Sequence, residues 1–189
     1  VSLSPDGQQI LYYTDKNNGE ILISTLDGET WSKPKKMPKQ MATDYHESSA
    51  VFSLDRNTIY FVSNMPEGNM GEGKTDTYNN DDLHVTHDIF YCTFDQENGK
   101  WSKPKNIGSH INTIYNERAV FLHPDGKTLF FSSEGHNSIG GLDIFKTVLN
   151  EETNEWSNPI NLGYPVNTAD DDVFFVYHLF AGREGHAWF

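Results

Sequence analysis

Basic residues are scarce in this chain: 14 lysines and arginines stand against 27 aspartates and glutamates in 189 residues, a formal charge of −13. A nucleic-acid surface needs a basic footprint to neutralise phosphates, and adsorption to anionic lipid needs a polybasic cluster, so neither partner is expected. Arg56, Arg118 and Arg183 are the only arginines, too dispersed to clamp a substrate carboxylate. Cysteine occurs once, at Cys92, which excludes an intrachain disulfide. Its place in an apolar run makes it a small buried hydrophobe. No run approaches the ~18–20 apolar residues of a membrane helix, so no direct insertion by a helix is expected. The loop Gly135–Gly141 fits neither G-x-S-x-G nor a phosphate-binding loop, and no helical pattern follows it. It reads as a turn, and no catalytic residue is assigned.

Aromatic residues are plentiful, at 13%. They fall in short runs, best seen between Glu117 and Trp156. The apolar run Ala119–Leu122 meets Pro124-Asp125-Gly126, where proline presets φ and glycine tolerates positive φ at the last corner. Two further short runs follow, Leu129–Ser133 and Asp143–Thr147, separated by the glycine-rich loop. Trp156-Ser157-Asn158-Pro159 and Asn161-Leu162-Gly163 close the unit. These are the signals of four short strands in a meander.

The unit repeats in strict register. Trp-Ser-x-Pro occurs at Trp31, Trp101 and Trp156, and each tryptophan is followed 16 residues later by an acid, Glu47, Glu117 or Asp172. Glu47 to Asp55 and Glu117 to Asp125 are both 8; Asp6 to Tyr12, Asp55 to Phe61 and Asp125 to Phe131 are all 6. A repeat of this period with all-β content indicates a propeller or array. The expected fold is all-β: four-stranded antiparallel β-propeller blades at about 1–46, 47–116, 117–171 and a partial 172–189. In the first repeat the first strand is mostly missing. In the second, Leu54-Asp55-Arg56 replaces Pro-Asp-Gly, and an insertion spans 65–86. The fourth begins with Val173–Val176, where a further inner strand is expected. About three blades and the start of a fourth fall short of the ~4–8 that close a ring. The expectation is an incomplete ring, a piece of a longer protein.

The pattern E-x₇-D-G-K-T-L-F-F-S-S … G-G-L-D-I-F … W-S-x-P-x-N-L-G resembles the WD-like repeats of TolB-type β-propellers. The version it most resembles is that of OmpA-family envelope proteins of Bacteroidetes-type bacteria. Residues 117–172 carry it most fully and residues 47–116 carry it apart from the insertion and turn; residues 1–38 match loosely, and the tail from Tyr177 departs from it. The resemblance implies a periplasmic or outer-membrane-associated module with a protein or peptide partner. It implies contact with peptidoglycan only through a domain not present here.

In a propeller, the connection into each inner strand and the second-to-third-strand loop share one rim, and function on β scaffolds concentrates in such loops. The candidate binding residues are therefore His46 and Glu47, Asn116 and Glu117, Asp171 and Asp172, with Asp82, His84 and His87 from the insertion. The competing reading is that the recurring acids bond backbone amides, because structural residues must recur in every blade and a ligand site need not. His84 and His87 are of a metal-ligating type, but an i, i+3 pair faces one way only on a helix. No helix is expected there, so neither a metal nor another cofactor is expected. Asp6, Asp55 and Asp125 are turn landmarks. Trp31, Trp101 and Trp156 are wedges at blade edges in preference to carbohydrate platforms, since prolines follow them in strict register. The leading expectation is a non-enzymatic scaffold. Alternatives are the propeller of a prolyl-oligopeptidase-like peptidase whose catalytic domain lies elsewhere, or a sialidase-type glycan-binding propeller. The latter lacks its Ser-x-Asp-x-Gly-x-x-Trp box here.

Overall fold

The computed structural model describes residues 1–14, 16, 19–41, 43–66, 68, 70, 86–178 and 186–188. Three antiparallel sheets follow one another along the chain. The first holds β1 (Ser2–Leu3), β2 (Gln9–Thr14), β3 (Glu20–Asp27), β4 (Thr30–Trp31) and β5 (Lys35–Lys36). The second holds β6 (Glu47–Phe52), β7 (Thr58–Ser63), β8 (Asp88–Asp95), β9 (Lys100–Trp101) and β10 (Lys105–Asn106). The third holds β11 (Glu117–Leu122), β12 (Thr128–Ser133), β13 (Asp143–Asn150), β14 (Glu155–Trp156) and β15 (Ile160–Asn161). Each is a four-stranded meander whose last strand is in two pieces. The chain is all β, an incomplete β-propeller.

Trp-Ser-x-Pro explains the broken last strand. Proline offers no N–H to the ladder, so β4, β9 and β14 pair with the far end of the third strand, and β5, β10 and β15 with its beginning. The serine bridges the break. Its hydroxyl accepts the N–H of Thr25, Thr93 or Val148 at 3.0 Å in every blade. Its own N–H donates to the carbonyl of the same residue, at 2.8, 2.8 and 2.9 Å.

The first-to-second-strand turns are alike in all three blades. Gly7, Arg56 and Gly126 donate to the carbonyls of Ser4, Ser53 and His123, and have φ of 69°, 60° and 77°. Arg56 thus adopts the left-handed conformation that glycine supplies elsewhere, and the turn that looks degenerate in sequence is conformationally intact. Asp6, Asp55 and Asp125 hold these turns by accepting the N–H two residues on, at 3.1, 3.0 and 2.9 Å.

The apolar core lies between blades. Leu11, Ile21, Met37 and Met41 of the first blade meet Phe52, Ile59, Phe61, Phe90 and Cys92 of the second. Val51, Val62 and Ile89 of the second meet Val120, Leu122, Leu129, Phe131 and Phe145 of the third. Trp101 packs on the first of these clusters and Trp156 on the second, with Trp156 edge-on to Tyr60 at 5.9 Å. Trp31, in the first blade, is 43% exposed.

After the third blade the chain departs from the expected strand at 173–176. Residues 172–175 belong to no strand among the described residues. They still dock: Phe175 stacks on Phe130 at 4.4 Å, and the Asp172 N–H donates to Leu142 O at 2.6 Å. A separate hairpin pairs β16 (Val176–His178) with β17 (His186–Trp188).

Candidate functional site: the upper rim

The end of the blades opposite the Asp-Gly turns gathers most of the proposed binding residues. The junction acids occupy repeating structural positions there. Glu47, Glu117 and Asp172 each accept the N–H of the threonine four residues earlier, at 3.1, 3.2 and 2.6 Å from Thr43, Thr113 and Thr168. Hydroxyls of Thr43 and Thr113 add second bonds, and Ser133 Oγ donates to Glu117 at 2.8 Å. The N–H of each acid crosses to the preceding blade, reaching Gly19 O, His87 O or Leu142 O at 3.3, 2.8 and 2.6 Å. Glu47 and Glu117 are buried, and burial pushes both carboxyls up, Glu117 to about 8 with the nearby Asp88 charge adding to the effect. These groups join blades.

Below them lies a polar network not anticipated from the residues. Asn106 Nδ2 donates to Asp88 Oδ2 at 2.7 Å, and Asn112 Nδ2 to Asn106 Oδ1 at 2.9 Å. Asn112 then takes the N–H of Ile89 and returns a bond to its carbonyl, both at 2.8 Å. Asp143, Asn161, Asn167 and Ile144 repeat the arrangement in the third blade. Asp88 and Asp143 are fully buried, and in each Oδ1 has no hydrogen-bond partner among the described residues. Burial pushes the Asp88 carboxyl up to about 6. In the first blade the ion pair Glu20–Lys36 stands in the same place. The signal for this network was in the spacing: 88 to 106 and 143 to 161 are both 18, and 106 to 112 and 161 to 167 are both 6.

With the repeating contacts set aside, what remains is aperiodic. The residue before each inner strand is His46, Asn116 or Asp171, and the residue before each third strand is Gly19, His87 or Leu142. At the second and third junctions the rule is simple: Asn116 Oδ1 accepts the His87 N–H at 3.1 Å, and Asp171 Oδ1 accepts the Leu142 N–H at 3.0 Å. His46 breaks it. Its ring lies where a Cβ on Gly19 would sit, 2.7 Å from that point, and it turns to the other histidine. His46 Nδ1 and His87 Nε2 are 3.1 Å apart, with rings edge-on at 5.1 Å. Tyr13 Oη lies 3.3 Å from His46 Nε2, and His87 Nδ1 lies 3.4 Å from Asn116 Oδ1. Asn116 Nδ2 donates to Glu134 Oε2 at 3.0 Å. A polar chain, Tyr13–His46–His87–Asn116–Glu134, therefore runs over all three blades. Tyr13 and Glu134 were missed by sequence reasoning. The equivalents of Tyr13 in the other blades, Val62 and Ser132, are fully buried, whereas Tyr13 is 39% exposed.

Asp82 and His84 lie outside the described residues, as does most of the insertion. Its near edge is anchored where Met70 N donates to Asp88 Oδ2 at 2.8 Å. The Gly135–Gly141 loop reaches the same rim: a Cβ on Gly141 would fall 1.9 Å from Asp171 Oδ1, so a side chain there would displace that carboxylate. Tyr45 and Tyr115, each two residues before a junction acid, are 44% and 53% exposed. Among the described residues no group of three His, Cys, Asp or Glu side chains gathers as a metal cage.

Several solved structures resemble this chain. A candidate TolB from Agrobacterium tumefaciens superposes with a TM-score of 0.50 at 16% identity, over 86% of this chain and 47% of that one. TolB from Acinetobacter baumannii gives 0.46 at 15% identity, over 98% of this chain and 39% of that one. An acylaminoacyl peptidase bound to Z-Gly-Gly-Phe-chloromethyl ketone gives 0.42 at 15%, over 87% and 25%. The chain thus spans less than half the length of these proteins. At such identities the likeness defines the fold, a β-propeller array of the kind seen in TolB-type proteins, and nothing finer. No family model matches the chain, and no curated protein does so.

Proposed function

We propose that this chain is part of a non-enzymatic β-propeller of the bacterial cell envelope that docks a protein or peptide partner on its upper rim. One observation carries the reading. The recurring acids are occupied by backbone and neighbouring blades, while the same rim presents exposed Tyr45 and Tyr115 beside the aperiodic Tyr13, His46 and His87. Exposed tyrosines give large, rigid contact area with a polar tip, which suits protein recognition. The repeat pattern, with its likeness to OmpA-family envelope proteins, supports a periplasmic or outer-membrane-associated setting. It also supports a parent protein that reaches peptidoglycan through another domain.

The test is photo-crosslinking in the full-length protein in its native cell, with the probe residue placed at Tyr45, at Tyr115, or at Leu54 on the opposite end. Leu54 is 47% exposed and so matches the rim tyrosines in accessibility. A discrete adduct from the tyrosine positions alone is expected. Adducts of equal yield from Leu54, or none from any position, would refute rim docking.

A further inference from the structure

We infer that His46 and His87 form a binding site for a divalent transition-metal ion of the imidazole-preferring class, with zinc as the reference ion. The argument starts from proton positions. Asn116 Oδ1 accepts the His87 backbone N–H, and Asn116 Nδ2 donates to the Glu134 carboxylate, so the orientation of this amide is fixed by its partners. His87 Nδ1 faces that same oxygen at 3.4 Å and must carry the proton. His87 Nε2 therefore presents its lone pair toward His46 Nδ1, 3.1 Å away.

His46 is the adjustable partner. Its Nε2 lies against the Tyr13 hydroxyl, which donates or accepts equally well. When the tyrosine donates, His46 Nδ1 carries the proton and bonds to His87. When the tyrosine accepts, the proton sits on Nε2, and both inward nitrogens, 3.1 Å apart, carry lone pairs. A metal then takes the place between the rings that the proton held in the other tautomer, and that proton stays on His46 Nε2. Two nitrogen ligands at Zn–N distances of roughly 2.0–2.1 Å around a tetrahedral ion are roughly 3.3 Å apart, close to the spacing observed. Both outward nitrogens are held by a hydroxyl and an amide, the outer contacts that orient metal-bound imidazoles.

Both rings are half-buried, open to solvent on the rim. Two histidines are the ligands among the described residues, and a tetrahedral ion takes its remaining positions from water or an incoming ligand. The pair is also aperiodic: Asn116 and Asp171 replace His46 in later blades, and Gly19 and Leu142 replace His87 in the others. Blade architecture gives no reason for two histidines here. This inference stands apart from partner docking, since it needs only this chain and the ion.

The test is isothermal titration of the tag-free full-length protein with Zn²⁺, alongside Cu²⁺ electron paramagnetic resonance to count equatorial nitrogens. One saturable site with two nitrogen ligands is expected. His46→Gln and His87→Gln should each weaken binding by about 100-fold or more. Asn116→Ala, which removes only the amide oxygen facing His87 Nδ1, should cost about 10-fold. Melting curves of the metal-free variants separate a lost ligand from a lost fold. The inference is overturned if the wild type shows no saturable site, if both glutamine variants bind within a factor of about three of wild type, or if His84→Ala alone abolishes binding.

Discussion

Glu117→Gln should make this propeller markedly more stable in alkaline solution and leave it nearly unchanged in acid. Glu117 is fully buried, and burial raises its carboxyl from the ordinary 4.5 to about 8, with the Asp88 charge contributing. A folded-state pKa above the unfolded one means that the folded form prefers the neutral acid. Its contribution is complete below about pH 4.5 and is lost as pH rises toward about 8. Each pH unit inside that window removes up to ~1.4 kcal/mol, a ceiling of about 5 kcal/mol, and relaxation around the charge reduces the loss to about 2–4 kcal/mol. Glutamine is neutral throughout and fits the same partners: its Nε2 donates to the hydroxyls of Thr113 and Ser133, and its Oε1 accepts the Thr113 N–H. By calorimetry, wild type and variant should melt together near pH 5. The variant should melt roughly 5–12 °C higher near pH 9. An equal destabilisation at both pH values would refute the reasoning, because it would show that the glutamate is ionised in the folded protein and that its charge is used.

Further perturbations address the blade framework. Asn112→Ala and Asn167→Ala each strip the side chain that pairs both backbone groups of Ile89 or Ile144, and should cost about 2–4 kcal/mol in chemical denaturation. A loss below about 0.5 kcal/mol would mean that water replaces the amide. Gly7→Ala, with open space around a φ of 69°, should cost about 1 kcal/mol from backbone strain alone. Gly126→Ala should cost more, since its Cβ would sit 2.6 Å from Leu54 Cδ1, and Leu54→Ala in the same chain should bring it back to the Gly7 value. Ser102→Ala removes the hydroxyl that takes the Thr93 N–H, for a loss of about 1 kcal/mol, and an unchanged melt would show that the broken strand closes without it.

The repeat register in the sequence places the strands and turns of the first three blades, which depend on residues that recur: the turn aspartates, the junction acids and the tryptophans. It fails at 173–176, where the expected strand does not form. Arg56 shows where letters mislead, since it keeps a glycine's φ without being glycine. The Asp–Asn–Asn network escaped although its spacing is constant in two blades, because the first repeat has Lys36 and Ala42 at the corresponding places. His84, the histidine nearest to His87 in the sequence, lies outside the described residues. The partner found is 41 residues away, and only the meander, which returns every inner and third strand to the same end, brings His46 to His87.

The placement of the apolar clusters between sheets bears on how such a chain can change over evolutionary time. A blade here has no private interior: Tyr60 of one unit is covered by Trp156 of the next, and Leu11 and Met41 of one by Phe61 and Phe90 of the following. A transplanted blade would arrive with two unmatched faces, so exchange of single units with an unrelated propeller should fail. Duplication of a neighbouring unit, whose faces already match, is the conservative route to a longer array.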